Sequence, residues 1–317
     1  MKDYDVDSQL KILKPLRFKR YSNFRRFFSN LVIQFTMIFA RPKQGIRMKR
    51  YHIKGHNHQR ITVYFLEKKT DQGKKPALLY IHGGGFQLGV TPVHLKMVTD
   101  MMVKTDYKAV IIKYRLIPKY PFPTALEDSY HALLWMAGHA NFLNIDINHL
   151  ALAGESAGGN LAAGVALLAR DRKGPPIEKV LLVYPVLDQS MHTQSMNDYD
   201  DTPMWNANLN KDMWKIYMKH GDFGMLPYAS PLQADLKGFP QTYIETAEFD
   251  CLRDEGVLFG KKLEKAGTTV YTNHTRKTVH GYDALFFSDL VKDCKAKRIL
   301  FLKGEFYEKD QSIHVES

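Results

Sequence analysis

The chain has 317 residues, of which 45 are Lys or Arg and 33 are Asp or Glu, and its formal net charge is +12. Two cysteines are too few for a disulfide framework, which excludes a disulfide-stabilised secreted scaffold. The first apolar run, residues 31–40, starts too late for a signal peptide and is too short to span a bilayer. We therefore expect a cytoplasmic protein.

The positive charge is concentrated in the N-terminal segment. Residues 1–60 hold 15 Lys and Arg but only 3 Asp, a net charge of +12, so the rest of the chain is neutral. A basic segment of this kind suits nucleic acid or anionic lipid. We expect no nucleic-acid partner, because the chain shows no zinc-finger spacing, helix-turn-helix signal or aromatic RNA-binding motif.

An amphipathic helix is predicted within this basic segment. Ser22 or Asn23 can cap its start and Pro42 stops it. Its apolar stripe consists of Phe24, Phe27, Phe28, Leu31, Val32, Phe35, Ile38 and Phe39. We expect the stripe to pack against the rest of the protein. The alternative is that the aromatic and basic residues contact a membrane surface or steer a lipid-like substrate.

The next region predicts strands. Residues 46–67 fit two strands joined by a turn at residues 55–57. We interpret His52, His56 and His58 as turn and strand residues, because no further ligand with recognised metal spacing accompanies them. No metal or other cofactor is expected.

A glycine-rich loop follows a buried strand. Residues 76–81 form the apolar run of a parallel strand, and residues 82–86 read His-Gly-Gly-Gly-Phe. Consecutive glycines let the backbone approach a ligand with its N–H groups turned inward. The lysine-serine pair of a phosphate-binding loop is absent, so the run indicates an oxyanion loop of the lipase and esterase type.

The centre of the chain contains a nucleophile elbow. An apolar run at residues 150–153 leads into Gly-Glu-Ser-Ala-Gly at residues 154–158, and a helix of small residues follows. Ser156 would therefore stand on a sharp strand-to-helix turn. Strands at residues 109–114 and 180–186 flank it, with a helix at residues 124–137. This alternation predicts an α/β fold with a mostly parallel sheet and helices on both faces.

Residues 189–230 break this alternation. They are rich in Met, Trp, Asn and Asp, and a helix is predicted at residues 210–219. We interpret the segment as an insertion above the carboxyl edge of the sheet, where ligands bind in open α/β sheets. Its candidates for lining an acyl pocket are Met204, Trp205, Met213 and Trp214, although ordinary packing is the more common role of such residues.

The C-terminal third supplies candidates for the base and the acid. A strand at residues 241–249 ends at Asp250, a helix runs to about residue 266, and a last strand covers residues 268–273. His280 lies in the loop before a final helix at residues 284–302.

We choose His280 over His274, which falls at the predicted strand end, and Asp250 over Asp254 and Glu248. The order serine, aspartate, histidine is that of α/β-hydrolases.

These motifs together resemble the hormone-sensitive-lipase-like carboxylesterases of the α/β-hydrolase superfamily. The resemblance is carried by residues 82–86, 114–116, 121–123, 155–160, 229–232, 250–256 and 280–281. It implies that the N–H groups of Gly84, Gly85 and Ala157 form the oxyanion hole, with Gly83 shaping the loop. Departures from the family pattern are Glu155 in place of Asp, Lys119 in place of Glu, and Cys251 in place of proline.

The resemblance also implies a domain organisation. Residues 1–45 and 189–230 would form a helical cap, and residues 46–188 and 231–317 would form the hydrolase core. The sequence thus predicts a metal-free serine carboxylesterase that acts on small esters with short to medium acyl chains. An amidase or deacetylase with the same triad, a non-catalytic binding protein of the same fold and a peripheral membrane protein remain alternatives. A homodimer also remains open.

Overall fold

The computed structural model describes residues 2–306. Within this range one mixed sheet lies between two layers of helices, which confirms the predicted fold class. The strands are β1 (Ile46–Lys54), β2 (Arg60–Lys68), β3 (Lys75–Ile81), β4 (Lys108–Lys113), β5 (Ile145–Glu155), β6 (Lys179–Val183), β7 (Gln241–Phe249) and β8 (Val270–Val279). The helices are α1 (Asn23–Phe39), α2 (Pro92–Lys104), α3 (Thr124–Gly138), α4 (Ala140–Leu143), α5 (Ala157–Asp171), α6 (Gln194–Asp198), α7 (Ala207–Tyr217), α8 (Leu226–Ala229), α9 (Arg253–Lys265) and α10 (Asp289–Lys303). Short 3-10 turns cover Ser8–Leu13, His56–His58, Pro231–Gln233 and Tyr282–Ala284.

The order of the strands in the sheet is β1-β2-β4-β3-β5-β6-β7-β8. The β1–β2 hairpin is antiparallel, and β2 is also antiparallel to β4. The remaining strands, β4, β3, β5, β6, β7 and β8, run parallel to one another. Leu79 and Leu152 lie in the hydrophobic core on one face, and Leu78 and Ala151 lie in the core on the other. Because helices cover both faces, these strands read as continuous apolar runs.

Several elements differ from the predictions; for example, α7 covers Ala207–Tyr217 where a helix at residues 210–219 was predicted. Helix α2 was not predicted, although Thr91 caps its start and Pro92 occupies its first turn. Strand β8 continues to Val279, because it is the edge strand and tolerates polar residues on its exposed side. Helix α10 begins later than predicted, since a 3-10 turn at Tyr282–Ala284 follows the His280 loop.

Helix α1 forms where predicted, and the Ser22 hydroxyl accepts the N–H of Arg25 at its start. The expectation that its apolar stripe packs against the protein is wrong: every stripe residue is exposed. The helix contacts the body through its other face, where Arg26 is buried and Asn30 bonds to the backbone at Gln87. Apolar spacing identifies residues that share a face but not what covers that face.

The N-terminal segment contacts the 189–230 insertion. Arg17 forms an ion pair with Asp201 at 3.0 Å, and the Tyr4 hydroxyl donates to the same carboxylate at 2.6 Å. The Met204 N–H donates to the Leu16 carbonyl at 2.7 Å. These contacts bring the two proposed cap segments together. No helix in residues 2–306 has the length and apolarity needed to cross a bilayer.

Candidate active site

Ser156 lies on the turn between β5 and α5. Its φ of 57° and ψ of −124° fall in a backbone region that residues other than glycine rarely adopt. Backbone hydrogen bonds hold it there: its N–H donates to Val183 at 2.9 Å, and its carbonyl accepts the N–H groups of Asn160 and Val186 at 3.1 Å. A Cβ at Gly158 would approach the Ile81 carbonyl oxygen to 2.0 Å, so the turn requires glycine there.

His280 directly follows β8, at the carboxyl edge of the sheet. Its Nε2 lies 2.9 Å from the Ser156 hydroxyl oxygen, within hydrogen-bonding distance. The Tyr184 ring packs beside the imidazole, with 4.5 Å between ring centroids. The Tyr184 hydroxyl donates to Asp283, whose carboxylate forms an ion pair with Arg298 at 2.8 Å. Tyr184 was not singled out in the sequence, because nothing local marks a tyrosine after a strand as an imidazole neighbour.

Asp250 directly follows β7 and is fully buried. Its Oδ2 lies 2.7 Å from Nδ1 of His280, and its Oδ1 accepts the N–H of Leu252 at 3.0 Å. An aspartate at Nδ1 favours the tautomer in which Nε2 is free to accept a proton from serine.

The rival residues point elsewhere. Asp254 accepts the N–H of Ser195 at 2.8 Å, and Glu248 accepts the N–H of Lys277 at 2.6 Å. His274 lies within β8, 2.7 Å from the Thr246 hydroxyl. The structure therefore brings Ser156, His280 and Asp250 together and leaves these rivals apart from the serine.

The glycine loop approaches Ser156 from β3. Gly84 and Gly85 have φ values of +107° and +61°, which favour glycine. Among residues 2–306, no backbone or side-chain acceptor takes the N–H groups of Gly84, Gly85 or Ala157. Gly83 differs, because its N–H donates to the Glu155 carboxylate at 2.6 Å. The structure thus separates three available donors from one that shapes the loop.

Glu155, the residue before the serine, is a buried carboxylate that ties the glycine loop to the elbow. It also accepts the Tyr80 hydroxyl at 2.5 Å and lies 3.1 Å from Nε2 of His94. Burial raises the pKa of Glu155, but the charge and hydrogen bond of His94, with help from Tyr80 and Gly83, outweigh it, so the pKa lies below its ordinary value. His94 belongs to α2, and the Thr91-Pro92 start signal could have revealed that helix.

His82 supports the loop from behind. Its ring stacks on Tyr114 with 4.2 Å between centroids and an interplanar angle of 9°. Complete burial, with a smaller effect of the neighbouring His94, lowers the pKa of His82 to about 3. The ring is therefore neutral at pH 7, and it serves as a packing surface.

A cavity of about 240 Å³ opens at Ser156 and His280. Phe18 and Tyr21 contribute to its wall from the N-terminal segment, and Met204 and Trp205 contribute from the insertion. The other two candidates, Met213 and Trp214, do not line it. Both are buried in the hydrophobic core, because α7 turns its apolar face inward.

The site combines a serine elbow, a histidine and a buried aspartate at the carboxyl edge of a mostly parallel sheet. These features define a class of protein, the α/β-hydrolases. Comparisons with known proteins agree. The family described as alpha/beta hydrolase fold matches residues 78–284, and the chain belongs to this family. The resemblance to hormone-sensitive-lipase-like carboxylesterases is thereby confirmed.

Individual relatives carry esterase and deacetylase names. Esterase LipI of Mycobacterium tuberculosis is 36% identical over 224 residues, which cover 69% of each chain. Arylacetamide deacetylase of Bos taurus is 31% identical over 295 residues, covering 72% of this chain and 73% of the relative. The solved structure of a bacterial heroin esterase superposes with a TM-score of 0.85 at 29% identity, covering 96% of this chain and 99% of the other.

Proposed function

We propose that this protein is a serine carboxylesterase that hydrolyses small carboxylic esters through an acyl-enzyme on Ser156. One observation carries the proposal: Nε2 of His280 lies 2.9 Å from the Ser156 hydroxyl while its Nδ1 lies 2.7 Å from Asp250. Acyl transfer by serine requires a base within hydrogen-bonding distance of the hydroxyl and an acid that orients the base, and this geometry provides both.

The reaction proceeds in two halves. The Ser156 oxygen attacks the ester carbonyl carbon while Nε2 of His280 takes the hydroxyl proton, and Asp250 stabilises the imidazolium that forms. The N–H groups of Gly84, Gly85 and Ala157 are the proposed donors to the tetrahedral oxyanion, and each such donor is worth about 3 to 4 kcal/mol of barrier. The imidazolium then protonates the leaving alcohol. In the second half, water activated by His280 releases the carboxylic acid and restores Ser156.

The cavity supports a small substrate. Its volume of about 240 Å³ lies below the usual range of drug-sized ligand sites, about 300 to 1,000 Å³. Its walls carry Phe18, Tyr21, Met204 and Trp205, which suit an apolar acyl chain. A short to medium acyl chain is the substrate class that this space favours.

The proposal includes a cap and a location. Residues 1–45 and 189–230 act as the cap, supported by the Arg17–Asp201 ion pair and by their shared contribution to the cavity wall. A cytoplasmic location is supported by Cys251 and Cys294, which are free and buried. Cell fractionation tests the location, and recovery from a secreted fraction would contradict it.

The test is hydrolysis of p-nitrophenyl acetate and butyrate by the Ser156→Ala variant. We expect kcat/KM to fall by about 10⁴-fold or more, because no acyl-enzyme can form without the Ser156 hydroxyl. Ser29→Ala, a serine on α1 away from the cavity, serves as the matched control and should keep its activity. Retention of full turnover by Ser156→Ala would refute the proposal.

A second candidate is amide deacetylation on the same triad. The observation that favours it is the 31% identity to a bovine arylacetamide deacetylase over 72% of this chain. The two candidates are separated by comparing p-nitrophenyl acetate with p-nitroacetanilide, which differ in the bond that breaks. A higher kcat/KM for the anilide would make this protein an amidase.

A further inference from the structure

The outer face of α1 is the largest run of exposed apolar side chains on one element. Its eight members are between 44% and 75% exposed. Together they present on the order of 1,000 Å² of accessible surface, whereas the largest apolar patch on a typical monomer covers about 300 to 600 Å². They are Phe24, Phe27, Phe28, Leu31, Val32, Phe35, Ile38 and Phe39. A patch of this size needs a partner.

The inner face of the same helix carries buried or half-buried polar residues together with Ile33 and Met37, and Met37 packs against the hydrophobic core. The Arg26 guanidinium donates to the Gln87 side-chain oxygen at 2.8 Å. The Asn30 amide donates to the Gln87 carbonyl at 2.8 Å and accepts the Gly89 N–H at 3.0 Å. Hydrogen bonds thus fix α1 to the loop that follows the glycine run, and the helix presents most of its apolar residues outward. This is the reverse of a helix that covers a core.

The surroundings of this face are positively charged. Residues 8–66 contain 14 Lys and Arg and no Asp or Glu. Lys19 and Arg25 are exposed at the start of α1, and Arg41 is exposed beyond its end. Arg20 and Lys43 are also exposed, but Arg20 lies 3.8 Å from Asp212 and Lys43 lies 2.8 Å from Asp100. Cationic side chains at the border of an apolar helix face match anionic headgroups above acyl chains.

A second copy of the chain fits the patch poorly. In a two-fold dimer each patch meets its own equivalent, so two basic segments without an acidic residue between positions 8 and 66 would face each other. Like charges brought together in this way oppose association. An anionic lipid surface has the complementary charge.

We propose that α1 docks this protein on the surface of an anionic lipid bilayer. The phenylalanine face enters the boundary between headgroups and acyl chains, and the flanking Lys and Arg contact lipid phosphates and carboxylates. This docking is independent of the chemistry proposed for Ser156, because it uses no residue of the triad.

Docking would also place the catalytic cavity at the membrane surface. Phe18 and Tyr21, just before α1, line the cavity, and Gln87, bonded to Arg26, lines it as well. An ester dissolved in the bilayer could then reach the cavity without crossing bulk water. The helix therefore links the lipid surface to the mouth of the site.

The experiment is co-sedimentation of the full chain with vesicles at 0.15 M salt. One set contains phosphatidylcholine alone, and the other contains phosphatidylcholine with 30% phosphatidylserine, about the anionic content needed for a strong surface potential. We expect binding to the anionic vesicles, and at least tenfold weaker partitioning for Phe27→Ser combined with Phe35→Ser. The control pair is Phe142→Ser with Phe223→Ser, whose side chains are 68% and 62% exposed against 69% and 60% for the α1 pair.

Two further variants make the result decisive. Arg20→Gln with Arg25→Gln should weaken binding to anionic vesicles while thermal unfolding shows that the fold is kept. Ser156→Ala should bind vesicles as the natural chain does, which separates docking from catalysis. The proposal is overturned if the natural chain does not sediment with anionic vesicles, or if the α1 and control pairs lose binding equally. It is also overturned if analytical ultracentrifugation finds a dimer that the α1 pair dissociates.

Discussion

Helices α5 and α1 are of similar length and differ in what surrounds them. In α5, 13 of 15 residues are buried, and its small residues allow close approach: a Cβ at Gly164 would come within 2.6 Å of the Tyr228 carbonyl oxygen. In α1, Arg26 alone of 17 residues is buried. An apolar pattern therefore has two outcomes in one chain. Around the elbow it is covered by protein, and on α1 it faces outward.

The difference shows how each region is held in place. The elbow is fixed by close packing and by backbone hydrogen bonds around Ser156. Helix α1 is fixed by a few polar contacts to Gln87 and Gly89 and by the packing of Met37 against the core. Substitutions at the buried site should therefore be costly for activity or stability, whereas substitutions on the outer face of α1 should not affect folding.

The largest expected effect lies within the site. Asp250→Asn should lower kcat/KM for p-nitrophenyl acetate by about 10³ to 10⁴-fold, because an amide does not stabilise the imidazolium and can hold the wrong tautomer. Asp254→Asn is the matched control, since that carboxylate bonds to Ser195 and Arg253 instead. Its kcat/KM should change less than about threefold. Equal losses in the two variants would remove Asp250 from its proposed role.

A smaller effect compares two phenylalanines in the two regions. Phe259 on α9 is fully buried, and Phe35 on α1 is 60% exposed. Phe259→Ala should reduce the free energy of unfolding by about 3 to 5 kcal/mol, through lost burial and a cavity. Phe35→Ala should change it by less than about 0.5 kcal/mol. Urea unfolding measures both, and a large loss for Phe35→Ala would show that the outer face of α1 is covered after all.

The smallest expected effect is a pH dependence of stability. The pKa of His82 is about 3 in the folded protein and about 6.5 in an unfolded chain. Between these values the unfolded state binds more protons, so stability falls as pH falls below about 6.5. This group should contribute about 2 kcal/mol less stability at pH 5 than at pH 7.

The His82→Gln variant isolates that contribution, because glutamine does not titrate. Urea unfolding of both proteins at pH 5 and pH 7 should give a pH-dependent loss that is about 2 kcal/mol smaller in the variant. Glu155 and His94 lie beside His82 and are present in both proteins, so the comparison isolates the contribution of His82. Identical pH dependence in the two proteins would mean that His82 is not held neutral in the fold.

Much of the fold could be predicted because local signals and packing agree. The glycines of the elbow and the apolar strands β3 and β5 leave few alternatives for the backbone around Ser156. The chain order of Ser156, Asp250 and His280 then predicted three side chains that the structure places in contact. These residues are separated along the chain, but parallel strands bring their ends to one edge of the sheet.

Other features depend on tertiary contacts that local patterns do not encode. The outward orientation of α1 is set by the Arg26–Gln87 hydrogen bond, whose partners are 61 residues apart. The contact of Tyr184 with His280 likewise depends on how β6 and β8 end beside β7. Of the four Met and Trp candidates for the cavity wall, Met213 and Trp214 are instead buried in the core. A Met- and Trp-rich segment does not reveal which of its side chains face a ligand.

The most direct measurement is covalent labelling with a fluorophosphonate, followed by peptide mass spectrometry. A fluorophosphonate reacts with a serine whose hydroxyl is activated by a neighbouring base, as the contact between Ser156 and His280 would provide. We predict one adduct per chain, on the peptide that contains Ser156, and its loss in the His280→Ala variant. An adduct on a different residue, or an unlabelled Ser156 in folded protein, would contradict the account.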